Sequence, residues 1–206
     1  MPSILRLGFF TSHGGSNMQA IIDACNARQL NAVPAVVISN NRDSQALQRA
    51  QAESIPWYHL SGKIHPEPAA LDSAVLDALE RHAVDIVILA GYMKKLGTRT
   101  LRQFRGRILN IHPALLPKYG GQGMYGRHVH EAVIAAGEQV TGVTIHLVEA
   151  EYDTGGIVAQ CEVPVLAGDT VDSLAARVLQ REHEFFVETL QQINDGQLKL
   201  RVLSGG

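Results

Sequence analysis

Asn110 and His112 stand two residues apart at the end of the apolar run "ILNIH", and Pro113 follows them. On an extended chain, residues two apart share a face, so this amide and this imidazole can address one ligand. An Asn amide donates and accepts; a His can donate, accept or shuttle a proton near neutral pH. That pair suits holding a negative oxygen while a proton moves. It equally suits a hydrogen-bonded structural imidazole beside a turn-stabilising amide. Asp153, in "EAEYDTGGIVAQ", precedes Thr154–Gly155–Gly156. It either opens a Gly turn or partners His112, where a carboxylate would favour the charged imidazole. His128 and His130 invite a metal reading with His112, but no third ligand follows at a recognisable spacing such as H-E-x-x-H. No metal is expected.

A second group lies in "FFTSHGGSNMQAII". Gly14 and Gly15 let the backbone approach a ligand, and Ser16 and Asn17 open a predicted helix. Free N–H groups and the helix dipole favour an anion there. The stretch is neither G-x-G-x-x-G nor the Lys-bearing phosphate loop. The alternative is a Gly turn with a Ser/Asn cap. His13 either adds a donor or faces solvent.

These residues need elements to place them. Unbroken apolar runs predict strands at Ile4–Phe10, Val33–Ser39, a short one near "PWYHL", Val84–Gly91, and "RILNI". Between them, "SNMQAIIDACNA", "DSQALQRAQAES", "PAALDSAVLDALERHA" and "TRTLRQF" read as helices; the third spaces its apolar residues at three and four. Such alternation predicts a parallel sheet with helices on both faces. In the second half, "TGVTIHLVE" alternates like a half-exposed strand, and "GGIVAQCEVPVL" reads as another strand. A long helix follows in "DTVDSLAARVLQREHEFFVETLQQI", with Asp169 or Thr170 as N-cap and Asp172 in its first turn. "LKLRVL" reads as an edge strand and "SGG" as a frayed end. The expected fold is α/β: a Rossmann-like open, mostly parallel sheet with mixed strands in the C-terminal half. Ligands of such sheets bind beyond the carboxyl ends of the strands. "SHGGSN", "AGYMKKLG" and "NIHPALLPKYGG" all follow strands, so they should cluster.

The 206 residues fit a single domain, long enough to bury a core without disulfide or metal. A formal charge of −2 leaves no basic footprint for nucleic acid. Cys25 and Cys161 lack metal-ligand spacing and read as buried thiols in a reducing compartment. No run approaches the roughly 18 apolar residues of a membrane helix, and "MPSILRLGFF" lacks the parts of a signal peptide. The expectation is a cytoplasmic protein without membrane or nucleic-acid partners.

Nearly the whole chain, from "GGSNMQAIIDAC" through "VVISN", "ILAGYM", "ILNIHPALLPKYGG" and "HLVEAEYDTGGIVAQ" to "RVLQREH", resembles the folate-dependent formyltransferases. "N-I-H-P-[AS]-L-L-P" with a later "D-x-G-G" is specific to formyl-folate enzymes. The "G-S-N-[LM]-Q-A-I" start points to the branch acting on glycinamide ribonucleotide. The resemblance implies formyl transfer from 10-formyltetrahydrofolate, a cosubstrate, to phosphoribosylglycinamide in purine synthesis. It implies Asn110, His112 and Asp153 as the catalytic trio. It places the substrate against Gly14, Gly15, Ser16, Asn17, Pro113 and Glu182. It places the folate against Met93, Lys94, Lys95, Leu96, Asn110, and the loop Glu149, Ala150, Glu151, Tyr152. Residues 1–110 would form a nucleotide- and phosphate-binding half and residues 111–206 a folate-binding and catalytic half. A monomer or homodimer is implied.

In the implied mechanism, the Asn110 amide and a protonated His112 hold the intermediate's oxygen. Asp153 keeps His112 charged and moves the proton. The chain departs from the pattern at His13, where many relatives have Gly, and at Lys94, where Arg is common. "HPEPAA" replaces a stretch that carries a folate-tail Arg, leaving Lys63 or His65 as weak substitutes. The stretch Gly120–His130 is several residues longer than the short form. A formyltetrahydrofolate hydrolase or a sugar N-formyltransferase is the alternative enzyme. The first usually carries an extra N-terminal domain. A tRNA-acting relative would need a C-terminal RNA-binding domain. A phosphate-binding module is the non-enzyme alternative, and the intact trio argues against it.

Overall fold

The computed structural model describes residues 4–200. Its first half alternates strand and helix: β1 (Leu5–Thr11), α1 (Ser16–Asn26), β2 (Ala32–Ser39), α2 (Gln45–Ala52), β3 (Trp57–His59), α3 (Pro68–Arg81), β4 (Ile86–Leu89), α4 (Thr98–Gln103) and β5 (Ile108–His112). The second half holds α5 (Arg127–Ala135), β6 (Val140–Leu147), β7 (Ile157–Pro164) and α6 (Val171–Asn194). One seven-stranded sheet runs in the order β3-β2-β1-β4-β5-β6-β7. The first five strands are parallel, and β6 and β7 join antiparallel. The sheet runs unbroken past residue 110.

Strand period decides the two faces. Leu7, Phe9, Ile86, Ile88, Leu109 and Ile111 pack with α1, α2, α5 and α6. Phe10, Val87, Leu89 and Ile108 pack with α3 and Phe104 on the other face. Gly8 belongs to this second face, where a Cβ would press on Leu79 and Val84, so α3 lies close against β1. Since 108, 110 and 112 alternate with 109 and 111, Asn110 and His112 leave the sheet on the second face.

The predicted elements appear with shifted ends, and four readings need correction. β6 was expected half-exposed, yet all of it after Val140 is buried. Val143, Ile145 and Leu147 enter the first core, while Thr144 faces the turn after β5. Thr144 Oγ1 donates to Ala114 O at 2.6 Å and accepts from Leu116 N–H at 3.0 Å. Gln160 Nε2 donates to the same hydroxyl at 2.8 Å. A polar residue at an alternate position is therefore covered by a loop rather than by water.

The second correction is α5: the lengthened stretch Gly120–His130 runs into a helix that starts at Arg127. Val129 and Val133, four apart, dock its apolar side, and Gly126 marks its start. The third is at the end: Leu198–Leu200 form no strand, and the rest of "LKLRVL" with "SGG" lies outside the described residues. The fourth concerns Cys25 and Cys161, which are half-buried free thiols rather than fully buried ones.

For α6, Thr170 is the N-cap. It accepts from Ser173 N–H at 3.1 Å, and Ser173 Oγ accepts from Thr170 N–H at 3.0 Å, a reciprocal cap. Asp169 instead pairs with Arg177 at 2.7 Å. Among the described residues, no helix is long and apolar enough to cross a membrane.

Candidate active site

The loops after β1, β4 and β5 meet at the carboxyl edge of the sheet around a cavity of ≈ 800 Å³. Gly14, Gly15, Ser16 and Asn17 line one side, with Glu182 of α6 beside them. Asn110, His112, Pro113 and Asp153 line the centre, and Met93 and Tyr152 the rim. A smaller adjoining pocket of ≈ 60 Å³ is lined by Lys94, Lys95, Leu96, Glu149, Ala150 and Glu151, and it shares Asn110, Tyr152 and Asp153 with the first. All the candidate site residues thus line these two adjoining pockets.

His112 is buried. Its Nε2 lies 2.7 Å from the carbonyl of Tyr119, so that nitrogen carries the proton and donates. Its Nδ1 faces Asp153 Oδ2 at 3.6 Å. That is too long for a hydrogen bond but close enough for charge to matter. The balance differs from the sequence expectation. Burial pushes the His112 pKa below the usual imidazole value and outweighs the raising effects of Asp153 and the Tyr119 carbonyl; His146 lowers it further. Asp153 raises the proton affinity of His112 without winning over desolvation.

His146 completes the centre, and the sequence reading missed it. It lies directly opposite Asn110 in the β5–β6 register. Its Nδ1 is 2.8 Å from Leu147 O, and its Nε2 lies 3.1 Å from Asn110 Nδ2 and 3.3 Å from Asp153 Oδ1. Thr144 and His146, two apart at the end of an alternating strand, were the available signal. Burial works to raise the Asp153 pKa, but the bonds from His146 and Gly121 N–H and the two imidazole charges hold it below the usual range. Asp153 also has φ 55°, and a Cβ at Gly155 would collide with Leu147 O. The Gly turn and the carboxylate's aim are thus parts of one geometry: the turn folds back on β6 and delivers Asp153 to both histidines.

The longer stretch contributes to the cleft. Gly121 N–H donates to Asp153 Oδ2 at 2.9 Å, and Gly121–Gly126 line the cavity. His128 and His130, two apart on α5, point to different sides, as helical spacing requires. His128 is exposed beside Glu131, while His130 is buried. Among the described residues, no group of three or more His, Cys, Asp or Glu is placed to hold a metal.

Glu182 is buried, and its carboxyl is pushed up to about 7 by desolvation, against the lowering bond from Asn17 Nδ2 at 2.9 Å. Among the described residues, the buried Asn17 Oδ1 has no partner. On the other side, Lys95 bridges to Glu151 at 3.1 Å and lies over the Tyr152 ring. Both charges are exposed, so the bridge adds little stability. Two further groups hold the loops. Ser12 Oγ donates to Asn40 Oδ1 at 2.6 Å and accepts from Met93 N–H at 2.8 Å. Asp72 reaches from α3 to accept from Arg99 N–H, Thr100 N–H and Thr100 Oγ1. It caps α4, behind the Met93–Leu96 loop.

The sequence profile of the Formyl transferase family matches residues 5–190. The chain is 40% identical over 201 residues to the chloroplastic phosphoribosylglycinamide formyltransferase of Arabidopsis thaliana, covering 97% of this chain and 69% of the relative. It is 38% identical to the phosphoribosylglycinamide formyltransferase of Haemophilus influenzae, covering 95% and 90%. The crystal structure of glycinamide ribonucleotide transformylase 1 from Symbiobacterium toebii superposes with a TM-score of 0.87 at 37% identity, covering 96% of this chain and 91% of that one.

Proposed function

The chain belongs to the Formyl transferase family, and from that premise we propose that it transfers the formyl group of 10-formyltetrahydrofolate to the amine of 5'-phosphoribosylglycinamide in purine biosynthesis. The observation that carries this reading is the placing of Asn110, His112, His146 and Asp153 between an anion-type loop and a second pocket. Two substrates entering from the two sides would bring their reacting ends to these four side chains.

The amine attacks the formyl carbon. Its nitrogen–carbon bond forms as the carbonyl π pair moves to oxygen. Asn110 donates to that oxygen, and the growing negative charge adds to Asp153 in raising the proton affinity of His112. His112 therefore gains its proton as the intermediate forms. The amine's proton passes through the His112–Asp153 pair to the folate nitrogen, which leaves as N–H when its bond to the formyl carbon breaks. The activated formyl group belongs to the folate; the chain supplies position and electrostatics.

The substrate's phosphate is assigned to Gly14–Asn17 and its glycinamide end to Glu182. The folate is assigned to Met93–Leu96 and Glu149–Tyr152. Residues 1–110 then supply the phosphate loop, and residues 111–206 the catalytic and folate-enclosing groups. Formyl transfer to phosphoribosylglycinamide, measured against formyl transfer to water, tests this reading. Transfer only to water would make the chain a formyl-folate hydrolase instead.

A further inference from the structure

Helix α1 starts without a side-chain cap. Its N-cap, Gly15, sits in the left-handed region at φ 69°, with Ser16 and Asn17 on the first turn. Both residues line the cavity, and the first-turn N–H groups of a helix have no partner within it. Such a loop stays open only if its carbonyls are held elsewhere, because a carbonyl turned inward would repel an anion.

The structure shows where they go. His13 O accepts from Ala46 N–H at 3.1 Å, and Gly14 O accepts from Arg49 Nε at 3.0 Å. Both donors come from α2. Gly15 also packs so close to Ala46 that a Cβ there would strike its methyl group. Arg49 Nη1 meets a second neutral acceptor, Gln19 Oε1, at 3.5 Å. A full positive charge, half-buried, is thus spent on a main-chain carbonyl directly behind the loop. Asn17 Oδ1, buried on a residue that lines the cavity, has no partner among the described residues and is open to a donor on the ligand.

We propose that Arg49 is a positioning residue for the phosphate loop. It pins the Gly14 carbonyl outward so that the loop's N–H groups face the ligand, and it adds its charge to the α1 N-terminus. This rests on the reading that the loop takes the substrate phosphate.

The test compares wild type, Arg49→Met and Arg49→Lys. It uses the KM for phosphoribosylglycinamide, the inhibition constants of ribose 5-phosphate and ribose, the KM for the folate, and kcat. In Arg49→Met, the KM for the phosphorylated substrate and the inhibition constant of ribose 5-phosphate rise together by about tenfold or more, the worth of one charge-assisted bond. Ribose inhibition, folate KM and kcat stay within about twofold. Arg49→Lys keeps the charge without the directed Nε–H and recovers part of the loss. If Arg49→Met fails to fold, Arg49→Lys still reads the phosphate-specific change. Unchanged phosphate affinity in the variants, or a parallel loss of all constants, would show that Arg49 merely anchors α2. A wild-type protein indifferent to ribose 5-phosphate would overturn the phosphate reading itself, and this inference with it.

Discussion

Asn110 and His146 meet across the β5–β6 ladder, with Nδ2 3.1 Å from Nε2. The amide proposed to hold the reacting oxygen is therefore oriented by a group on the next strand. His146→Phe keeps a flat apolar body but removes the Nε2 that faces both Asn110 and Asp153. Turnover should fall on the order of 10²-fold, as misplaced catalytic groups commonly cost. Single-turnover kinetics with saturating substrates would check it; a change in KM alone would show that His146 serves binding rather than alignment.

His112→Ala should remove roughly two to four decades of turnover, the range for a proton-transfer or oxyanion group. Its side chain faces the cleft and its bonds are local, so far-UV circular dichroism should be unchanged. Near-wild-type turnover would end its catalytic assignment.

Asp153→Asn tests the charge between Asp153 and His112. The carboxylate raises the imidazole pKa, against a burial effect that already lowers it. Removing it should move that pKa further down, seen directly by NMR. A weaker base accepts the amine proton less well, so turnover drops. Because His112 enters neutral, the acid limb of kcat/KM should move to lower pH. An imidazole that titrates as before would leave Asp153 with the Gly turn alone.

Glu182 gives a stability signature. Its carboxyl lies at about 7, raised by burial from an ordinary 4.5. A group raised in the folded state leaves stability intact below its unfolded pKa and lowers it as pH rises through the folded value. Glu182→Gln removes that loss. The variant should be more stable than wild type at pH 8.5 by up to about 3 kcal/mol and nearly equal at pH 5. Urea unfolding at the two pH values reads the difference. Binding of the amine substrate should weaken in the same variant.

Asp72→Ala strands three donors at the start of α4. The expected cost is about 2–4 kcal/mol, read by urea unfolding with an unchanged slope. The folate KM should rise, because α4 backs the loop that precedes it. A stability loss with no effect on folate would confine Asp72 to capping.

Much of this was legible in the residues. The parallel half announces itself through unbroken apolar runs such as "VDIVILAG", and the period of two alone puts Asn110 and His112 on one face. The hidden parts depend on register or on main-chain atoms. His146 becomes a partner of Asn110 only through the antiparallel pairing of β6, which local pattern does not fix. β6 looks half-exposed because Thr144 and His146 are polar, although a loop covers them. Helix α5 was masked by the Gly-rich approach to Arg127. The carbonyl of Tyr119 and the N–H of Gly121 have no side-chain signature at all.

That last point bears on how such a site can drift. The oxygen that fixes which nitrogen of His112 carries its proton belongs to the main chain. Exchanging the side chain at 119 leaves that oxygen in place. An insertion or deletion between His112 and Tyr119 displaces it. Descendants of this sequence should therefore keep the spacing from His112 to Tyr119 even where the side chain at 119 changes.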